Sequence, residues 1–226
     1  MGHEERHKNR EKCYKIISNT KGWLEFSGIE SIQSVLTLAN EFGDIIAHPD
    51  GNEFNIITPR KKNNSYPGTL SHLHEYGEFP LHTDTAFWSV PARYIVLAML
   101  IENNNSTLVV SADKIFNSLD AEVKKIAREA VFKVETPFGE FDTRAIFEKS
   151  GEIGIRFNAC CMTPSNSSAE IFFEEFDRAL KHIRPNQIQW TGNKAIVIDN
   201  WKVVHGRPAI IDPIDNERSL IRVYVS

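Results

Sequence analysis

Two short histidine–aspartate pairs have the residue types and the spacing to bind a metal. They are His82-Thr83-Asp84 and His48-Pro49-Asp50. Residues two apart on a β-strand project to the same side, so either pair could supply two ligands at once. Iron(II) that activates O₂ is typically held by two histidines and one carboxylate, which leaves the opposite face open. A distant part of the chain would have to supply the third ligand.

The local sequence separates the two pairs. Asp50 lies in a Pro-Asp-Gly turn, where aspartate and glycine have backbone reasons of their own to occur. His82 and Asp84 lie in GEFPLHTDTAFW, between aromatic residues and shortly before an apolar strand. The context therefore favours His82 and Asp84 over His48 and Asp50 as the candidate metal-binding pair.

The C-terminal sequence offers a third ligand and two arginines. It reads AIVIDNWKVVHGRPAIIDPIDNERSLIRVYVS, with one strand ending at His205 and a last strand carrying Arg218 and Arg222. The arginines are an even number of residues apart, so they face the same side of the strand. A buried arginine pair is costly unless it meets carboxylates. A lone histidine in this position is more often a core or surface residue, but the arginine pair favours a site at His205.

Composition restricts the class of protein. The chain has 226 residues, of which 41% are hydrophobic and 25% charged, as in a globular protein. We predict a single domain over 1–226, in which 1–28 is a charged, helical N-terminal extension. The net charge of -4 lacks the basic excess that nucleic-acid binding requires. No apolar run is long enough to span a membrane, and the N-terminus lacks the apolar region of a secretory signal.

The three cysteines are too few and badly placed for a disulfide framework. They are Cys13, Cys160 and Cys161, and we predict that all three are reduced thiols. Reduced thiols favour a cytoplasmic location.

Periodicity predicts three helices and a larger number of strands. The helices are predicted at Ile29–Phe42, Ser118–Val131 and Ser167–Ile183. Short stretches rich in β-branched and aromatic residues predict strands, and these are Tyr94–Leu100, Thr107–Val110, Glu152–Phe157, Ala195–Ile198, Val203–His205 and Ser219–Val225. Many short strands with a few covering helices indicate a β-sandwich or a jelly roll. The pattern does not choose between the two.

The segments FPLHTDTAFW and NWKVVHGRPAI…RSLIRVYV together resemble the taurine dioxygenase and clavaminate synthase group of iron(II)/2-oxoglutarate-dependent oxygenases. The resemblance covers about Asp44 to Ser226, with the motifs in the order and at the spacing of that group. It implies a mainly β protein with a double-stranded β-helix (jelly roll, cupin-like) core and flanking α-helices. It also implies Fe(II), 2-oxoglutarate as co-substrate, and O₂.

The resemblance assigns a role to each residue that matches a motif of the group. It implies that His82, Asp84 and His205 ligate the iron. It implies that Arg218 and Thr107 bind the C5 carboxylate of 2-oxoglutarate.

Three further features of this chain bear on that pattern. Arg222 matches a second arginine that faces the primary substrate or braces the site. The turn before Thr107 is usually rich in glycine, and here it is Asn103-Asn104-Asn105. Asparagine tolerates left-handed backbone, so we expect the turn to be retained. Residues 112–137 leave little room for a long lid, so the pocket is expected to be open or to be closed by a partner.

Further residues near the motifs have two interpretations each. Arg156 could contact the substrate or a metal ligand, or form a structural salt bridge, and we include it in the predicted substrate site. Trp88 and Trp201 could pack in the core or touch the substrate, and we include Trp88 in the predicted substrate site. His72 and His74 could supply metal ligands but are better explained as approach or surface residues. Asn200 could orient a metal ligand.

The implied activity is oxidation of a small organic substrate, by default its hydroxylation, with release of succinate and CO₂. We predict an amino acid or another carboxylate as substrate, because Arg222 would suit an anion. A homo-oligomer is compatible with the sequence. Two alternatives remain, a jelly-roll metalloprotein that acts without 2-oxoglutarate, like a cupin isomerase, and a non-catalytic binding module. The first has no use for Thr107 and the arginine pair, and the intact ligand set argues against the second.

Overall fold

The computed structural model describes residues 3–59, 73–136, 139–210 and 218–226, with side chains described from residue 10 onwards. The helices are α1 (His3–Ser18), α2 (Ile32–Phe42), α3 (Ala112–Ser118), α4 (Ala121–Ile126) and α5 (Ser167–His182). The strands are β1 (Trp23–Ser27), β2 (Ile45–Ile46), β3 (Asn55–Ile57), β4 (Phe79–His82), β5 (Tyr94–Met99), β6 (Glu102–Ser111), β7 (Val131–Thr136), β8 (Gly139–Arg144), β9 (Ile146–Lys149), β10 (Glu152–Ile155), β11 (Met162–Pro164), β12 (Asn186–Thr191), β13 (Lys194–Asp199), β14 (Val203–Arg207) and β15 (Leu220–Val225).

Two antiparallel sheets face each other and form the core of the molecule. The major sheet has the strand order β1-β13-β5-β15-β2, and β3 also pairs with β15. The minor sheet has the order β12-β6-β14-β4. Strands β5 and β6 are neighbours in sequence but lie in different sheets, as do β12 and β13 and likewise β14 and β15. This arrangement is the jelly roll of a double-stranded β-helix, so the predicted mainly β fold is confirmed.

Strand alternation explains which side chains fill the space between the sheets. On β15, Leu220 and Tyr224 point inwards and join the cluster between the sheets. Ile221 and Val223, which alternate with them, point outwards and pack with Val35 of α2. A residue at an even position on β15 therefore faces the interior. Arg222 is also at an even position, so its side chain faces the interior.

A third layer covers the outer face of the minor sheet. Helices α3, α4 and α5 pack there with β7 around a cluster rich in phenylalanine, which includes Phe132, Phe172 and Phe176. Val204 of β14 contributes the outer face of the minor sheet to this cluster. Residues 112–136 are thus part of a packed layer. This agrees with the expectation that the segment leaves little room for a long lid.

Two of the three predicted helices are present within a few residues of the expected bounds. Ser31 caps α2 and forms a capping box with Ser34, and Asn166 caps α5 through its side chain. The helix predicted over 118–131 is present as the shorter α4, which begins only after the extended residues Leu119 and Asp120. Val131, the predicted last helical residue, already begins strand β7.

The six predicted strands are all present, and β6 is longer than expected. Asn103, Asn104 and Asn105 belong to β6, so the turn predicted there is wrong. A turn with positive φ at Gly192 and Asn193 lies instead between β12 and β13. Residues 23–27, which we predicted as part of a helical extension, form strand β1 of the major sheet. In the described part of the chain, no helix is long and apolar enough to cross a membrane.

Candidate metal centre

Two histidines lie side by side on neighbouring strands of the minor sheet. His82 of β4 and His205 of β14 are direct partners in the strand register, and their ring centroids are 4.7 Å apart. Leu81 and Val204 pack on the outer face of the sheet, so both histidines face its inner side. Nδ1 of His82 lies 2.8 Å from the carbonyl oxygen of Pro80, which directs Nε2 away from the backbone.

Asp84 completes a group of three potential metal ligands. Its Oδ1 lies 3.2 Å from Nε2 of His82, and its Oδ2 lies 3.9 Å from Nε2 of His205. One ligand atom from each residue lies within 4.8 Å of the others, and all three residues are buried. Within the described ranges, this is the single group of three such ligands. His48 is outside it, because its ring packs on Tyr224.

The charges in this group suit a divalent cation. Burial, and then the proximity of His82, lower the pKa of His205 to about 3. The imidazole is therefore neutral near pH 7 and has a lone pair to donate. Burial alone would raise the pKa of Asp84, but Arg222, His82 and His205 together hold it well below its usual value. A neutral imidazole pair and one carboxylate are the donor set that iron(II) uses in such sites.

Arg218 and Thr107 meet on the same inner side. The Arg218 guanidinium donates to Oγ1 of Thr107 at 3.3 Å, and Nε1 of Trp190 donates to the same oxygen at 3.1 Å. Thr107 precedes Val109 by two residues, and Val109 is the strand partner of His205. Diagonal neighbours of this kind are about 7–8 Å apart. Arg218 is only 4% exposed, and burial lowers its pKa to about 10.

Arg222 contacts the carboxylate of the metal group. Its NH1 donates to Oδ2 of Asp84 at 3.0 Å, and its guanidinium lies over the ring of Tyr224. Trp88 packs edge-on against the same tyrosine ring, at 5.3 Å between centroids. Arg222 therefore holds the Asp84 carboxylate from one side, and the rings of Tyr224 and Trp88 lie beside it.

Residues 15–224 match the family described as "Taurine catabolism dioxygenase TauD, TfdA family". The chain belongs to this family. The resemblance to the iron(II)/2-oxoglutarate-dependent oxygenases is thereby confirmed, and with it the enzyme class, a dioxygenase that uses iron(II) and 2-oxoglutarate. The matched range begins within α1, earlier than the resemblance seen in the motifs.

Solved structures of three enzymes have the same fold as this TauD/TfdA-family protein. An asparagine oxygenase in complex with Fe(II), 2S,3S-3-hydroxyasparagine and succinate is 15% identical, with a TM-score of 0.76 over 99% of this chain and 79% of that chain. The non-heme iron oxygenase OrfP with Fe, succinate and (3S)-hydroxy-L-Arg is 15% identical, with a TM-score of 0.75 over 100% and 82%. PvcB from Pseudomonas aeruginosa is 16% identical, with a TM-score of 0.70 over 95% and 79%. No curated protein matches the chain.

Arg156 of this dioxygenase is placed differently from our first interpretation. Its guanidinium is almost fully buried and donates to the carbonyl oxygens of Ala86, Trp88 and Ser89 at 2.8–2.9 Å. These residues form the loop that follows Asp84. The contacts favour a role in holding that loop over a direct contact with substrate. A structural salt bridge, our other interpretation, is absent from the described residues too, since the partners of Arg156 are carbonyl groups.

Three of the remaining candidate residues have contacts that the structure describes. Trp201 is a core residue whose indole covers Arg93 and donates to the carbonyl of Pro91. Nε2 of His74 lies 3.8 Å from the Cys160 sulfur, outside the metal group. His72 lies outside the described residues. Asn200 contacts the backbone of Asp84, as expected for a residue that orients a ligand.

Arg207 received no role in the sequence analysis, although it belongs to the segment NWKVVHGRPAI. Arg207 donates to the carbonyl oxygens of Glu75, Gly77 and Pro208. It thus fixes the segment before β4, while Arg156 fixes the loop after Asp84. In the described chain neither arginine has a carboxylate partner. The sequence could not identify these acceptors, because every residue carries a backbone carbonyl group.

Proposed function

We propose that this dioxygenase hydroxylates an amino acid, with His82, Asp84 and His205 as iron ligands and with Arg218 and Thr107 as the binding site for the C5 carboxylate of 2-oxoglutarate. The observation that carries the proposal is the pairing of Arg218 and Thr107 on the inner side that bears the three ligands. A metalloprotein acting without 2-oxoglutarate would not need this cation.

The Arg218 guanidinium needs a partner that the described residues do not supply. No carboxylate lies within ion-pair distance of it in that part of the chain, and its Nε is buried without a hydrogen bond. A buried charge without a counterion is costly. The planar guanidinium group can donate two parallel hydrogen bonds to one carboxylate. The co-substrate's carboxylate would remove this cost on binding.

The Thr107 hydroxyl can donate a hydrogen bond to the same carboxylate. Its hydroxyl oxygen already accepts from Trp190 and from Arg218, which occupies both lone pairs. Its hydroxyl hydrogen has no acceptor among the described residues, so it can be donated to an incoming carboxylate. Thr107 and Arg218 together would therefore offer donors to one anion.

The chain's own residues have defined tasks in this reaction. O₂ is the oxidant in this reaction. With iron(II) bound at the site, one oxygen atom of O₂ would enter succinate as 2-oxoglutarate loses CO₂, and the other would hydroxylate a C–H bond of the substrate. The two histidines and Asp84 would hold the metal on one face. Arg218 and Thr107 orient the co-substrate. The loop held by Arg156 and the ring of Tyr224 limit access of water to the inner side.

Arg222 and Asn55 support a zwitterionic substrate. Asn55 of β3 is the direct strand partner of Arg222, so the two side chains lie on the same face. Oδ1 of Asn55 is buried and has no hydrogen-bond partner in the described chain. A cation beside an open acceptor suits the carboxylate and the ammonium group of an amino acid. Structures with the same fold hold hydroxylated asparagine or arginine, which is consistent with this substrate class.

Three further points belong to the proposal. We propose that 1–226 is a single catalytic domain, that it acts in the cytoplasm, and that its substrate is a free small molecule. The free state of Cys13, Cys160 and Cys161 supports the location.

Two measurements test the proposal. Anaerobic addition of Fe(II) and 2-oxoglutarate should produce a weak visible charge-transfer band, which a metalloprotein that ignores 2-oxoglutarate would not give. A screen of amino acids and other small carboxylates should then find compounds that increase succinate release. A protein that gives the band but responds to no amino acid would lose the substrate assignment and keep the enzyme class.

A further inference from the structure

The backbone of Asp84 is held on both sides of its Cα atom. Its N–H donates to Oδ1 of Asn200 at 2.9 Å. Its carbonyl oxygen accepts from Nδ2 of Asn200 at 3.0 Å and from the hydroxyl of Thr85 at 2.7 Å. Two side chains therefore saturate the peptide groups of this residue.

Ala92 closes the arrangement. Its N–H donates to the Thr85 hydroxyl at 2.8 Å, and its carbonyl oxygen accepts from Nδ2 of Asn200 at 2.9 Å. Five hydrogen bonds thus join Asp84, Thr85, Ala92 and Asn200, and all four residues are buried. We call Thr85, Ala92 and Asn200 the Asp84 clasp. Asn200 is itself anchored, because its N–H donates to the carbonyl oxygen of Arg93.

Thr85 adopts an unusual backbone conformation in the clasp. Its φ is 54°, in the left-handed region that β-branched residues rarely occupy. Glycine or asparagine would adopt this conformation more easily, but neither offers a hydroxyl that can accept from Ala92 while donating to Asp84. Residues held in such conformations cluster at functional sites, where the surrounding structure enforces them. The hydroxyl is a physical reason for a threonine at this strained position.

The clasp differs from the contacts of the carboxylate itself. The Asp84 carboxylate contacts His82, His205 and Arg222, which all belong to the site and would rearrange when a metal or substrate binds. The clasp contacts only backbone groups and does not depend on occupancy. An aspartate has a short side chain, so fixing its backbone limits where its carboxylate can lie.

We propose that Thr85 and Asn200 are positioning residues that hold Asp84 ready for the metal before the metal arrives. This inference rests on the proposed role of Asp84 as a ligand. Partners of metal ligands outside the coordination sphere typically contribute about 10–100-fold to metal affinity. The Asp84 clasp acts through the backbone instead of through the coordinating group.

The test uses Co(II) as probe, added to metal-free protein and followed by its visible absorption. Thr85→Val keeps the shape and the β-branch but removes the hydroxyl, whereas Thr85→Ser keeps the hydroxyl. Asn200→Asp keeps the size but replaces the donor group by an acceptor. Val35→Ala is the matched control, because Val35 is fully buried in the cluster around α2, far from the clasp in the fold. Thermal unfolding of each metal-free variant accompanies the titration.

We expect Thr85→Val and Asn200→Asp to weaken Co(II) binding about 10–100-fold and to change the shape of the visible bands. Thr85→Ser should stay within about threefold of the wild type, and so should Val35→Ala despite a lower thermal midpoint. Equal Co(II) affinities for the Val and Ser variants at position 85 would overturn the inference. So would an equal loss in Val35→Ala, since the effect would then reflect stability alone.

Asp84→Ala separates this inference from the proposed function. If Asp84→Ala binds Co(II) as tightly as the wild type, Asp84 is not a ligand and both fail. If Asp84→Ala loses Co(II) while Thr85→Val keeps it, only the clasp is overturned. Should Asn200→Asp not fold, the Val and Ser pair at position 85 decides the question.

Discussion

His82 and His205 are direct partners on adjacent antiparallel strands, although they are far apart in the sequence. Their rings are 4.7 Å apart on the inner side of the minor sheet. Strand pairing, and not a flexible loop, sets the spacing of these two histidines. Asp84, the third proposed ligand, follows two residues after His82, where the chain leaves β4. Because these side chains are already in place, metal binding requires little rearrangement of the protein.

Removal of either histidine should remove most of the metal affinity. We expect His205→Ala to weaken Fe(II) binding at least about 100-fold, because the remaining pair cannot hold one face of an octahedral ion. Anaerobic equilibrium dialysis measures the affinity. His182→Ala is the control, since His182 is exposed at the end of α5. Fe(II) binding that survives in His205→Ala would contradict the assignment.

Arg218→Met should have opposite effects on stability and on co-substrate binding. Without 2-oxoglutarate the variant should be more stable by about 1–3 kcal/mol, because it lacks a buried cation for which the described residues provide no carboxylate. Its KM for 2-oxoglutarate should rise at least about 30-fold, the loss expected when one partner of a buried ion pair is removed. Urea unfolding and succinate release measure the two quantities.

Arg218→Lys refines this prediction. Lysine keeps the charge but cannot bind a carboxylate at two points, so the KM should rise about tenfold. 2-Oxoglutarate should raise the thermal midpoint of the wild type by mass action, and should not raise that of Arg218→Met. A normal KM in both variants would place the co-substrate elsewhere.

Arg222 and Asn55 should affect the substrate more than the co-substrate. We expect Arg222→Met to raise the KM for the amino acid at least about tenfold, and Asn55→Leu to raise it by a smaller factor, since a neutral acceptor contributes less than a cation. The Arg222 variant also removes a contact to Asp84, so Fe(II) affinity must be measured beside it. An unchanged substrate KM in both variants would refute zwitterion recognition by this pair.

Arg156→Met should loosen the loop after Asp84. Three carbonyl groups would lose their donors, and we expect a loss of about 2–4 kcal/mol in the free energy of unfolding. Amide hydrogen exchange of residues 86–89 should accelerate as well. Arg144→Met is a matched control, because Arg144 is exposed on β8 and should change stability by less than about 0.5 kcal/mol. Slow exchange in the Arg156 variant would show that other contacts hold the loop.

The thiol of Cys161 should resist alkylation in the folded protein. Burial, followed by the neighbouring Cys160, raises the pKa of Cys161 to about 12 from the usual 9.0. Only the thiolate reacts, so near pH 8 its reactive fraction should fall by about three orders of magnitude. Iodoacetamide labelling with mass spectrometry measures this, with urea-unfolded protein as the reference. Rapid labelling of Cys161 in the native protein would contradict the burial.

The errors in our sequence predictions have local causes. The predicted helix over 118–131 is too long at both ends, because Leu119 and Val131 fit its apolar positions although Leu119 is extended and Val131 begins β7. Asn103 to Asn105 suggested a turn by residue type, but pairing with β12 keeps them in β6. Strand β1 was missed because five residues after a charged helix carry little periodicity. In each case a tertiary partner overrode a weak local preference.

The sequence by itself determined the candidate residue types, the short spacing between His82 and Asp84, and the face of the strand on which Arg222 lies. The parity of residue positions explains Arg222, whereas Asp84 and Arg218 lie just outside β4 and β15. Only the tertiary structure decided which histidine stands opposite His82 and which groups Arg156, Arg207 and Asn200 hold. Their partners are backbone groups, which every residue carries, so residue identities alone cannot point to them.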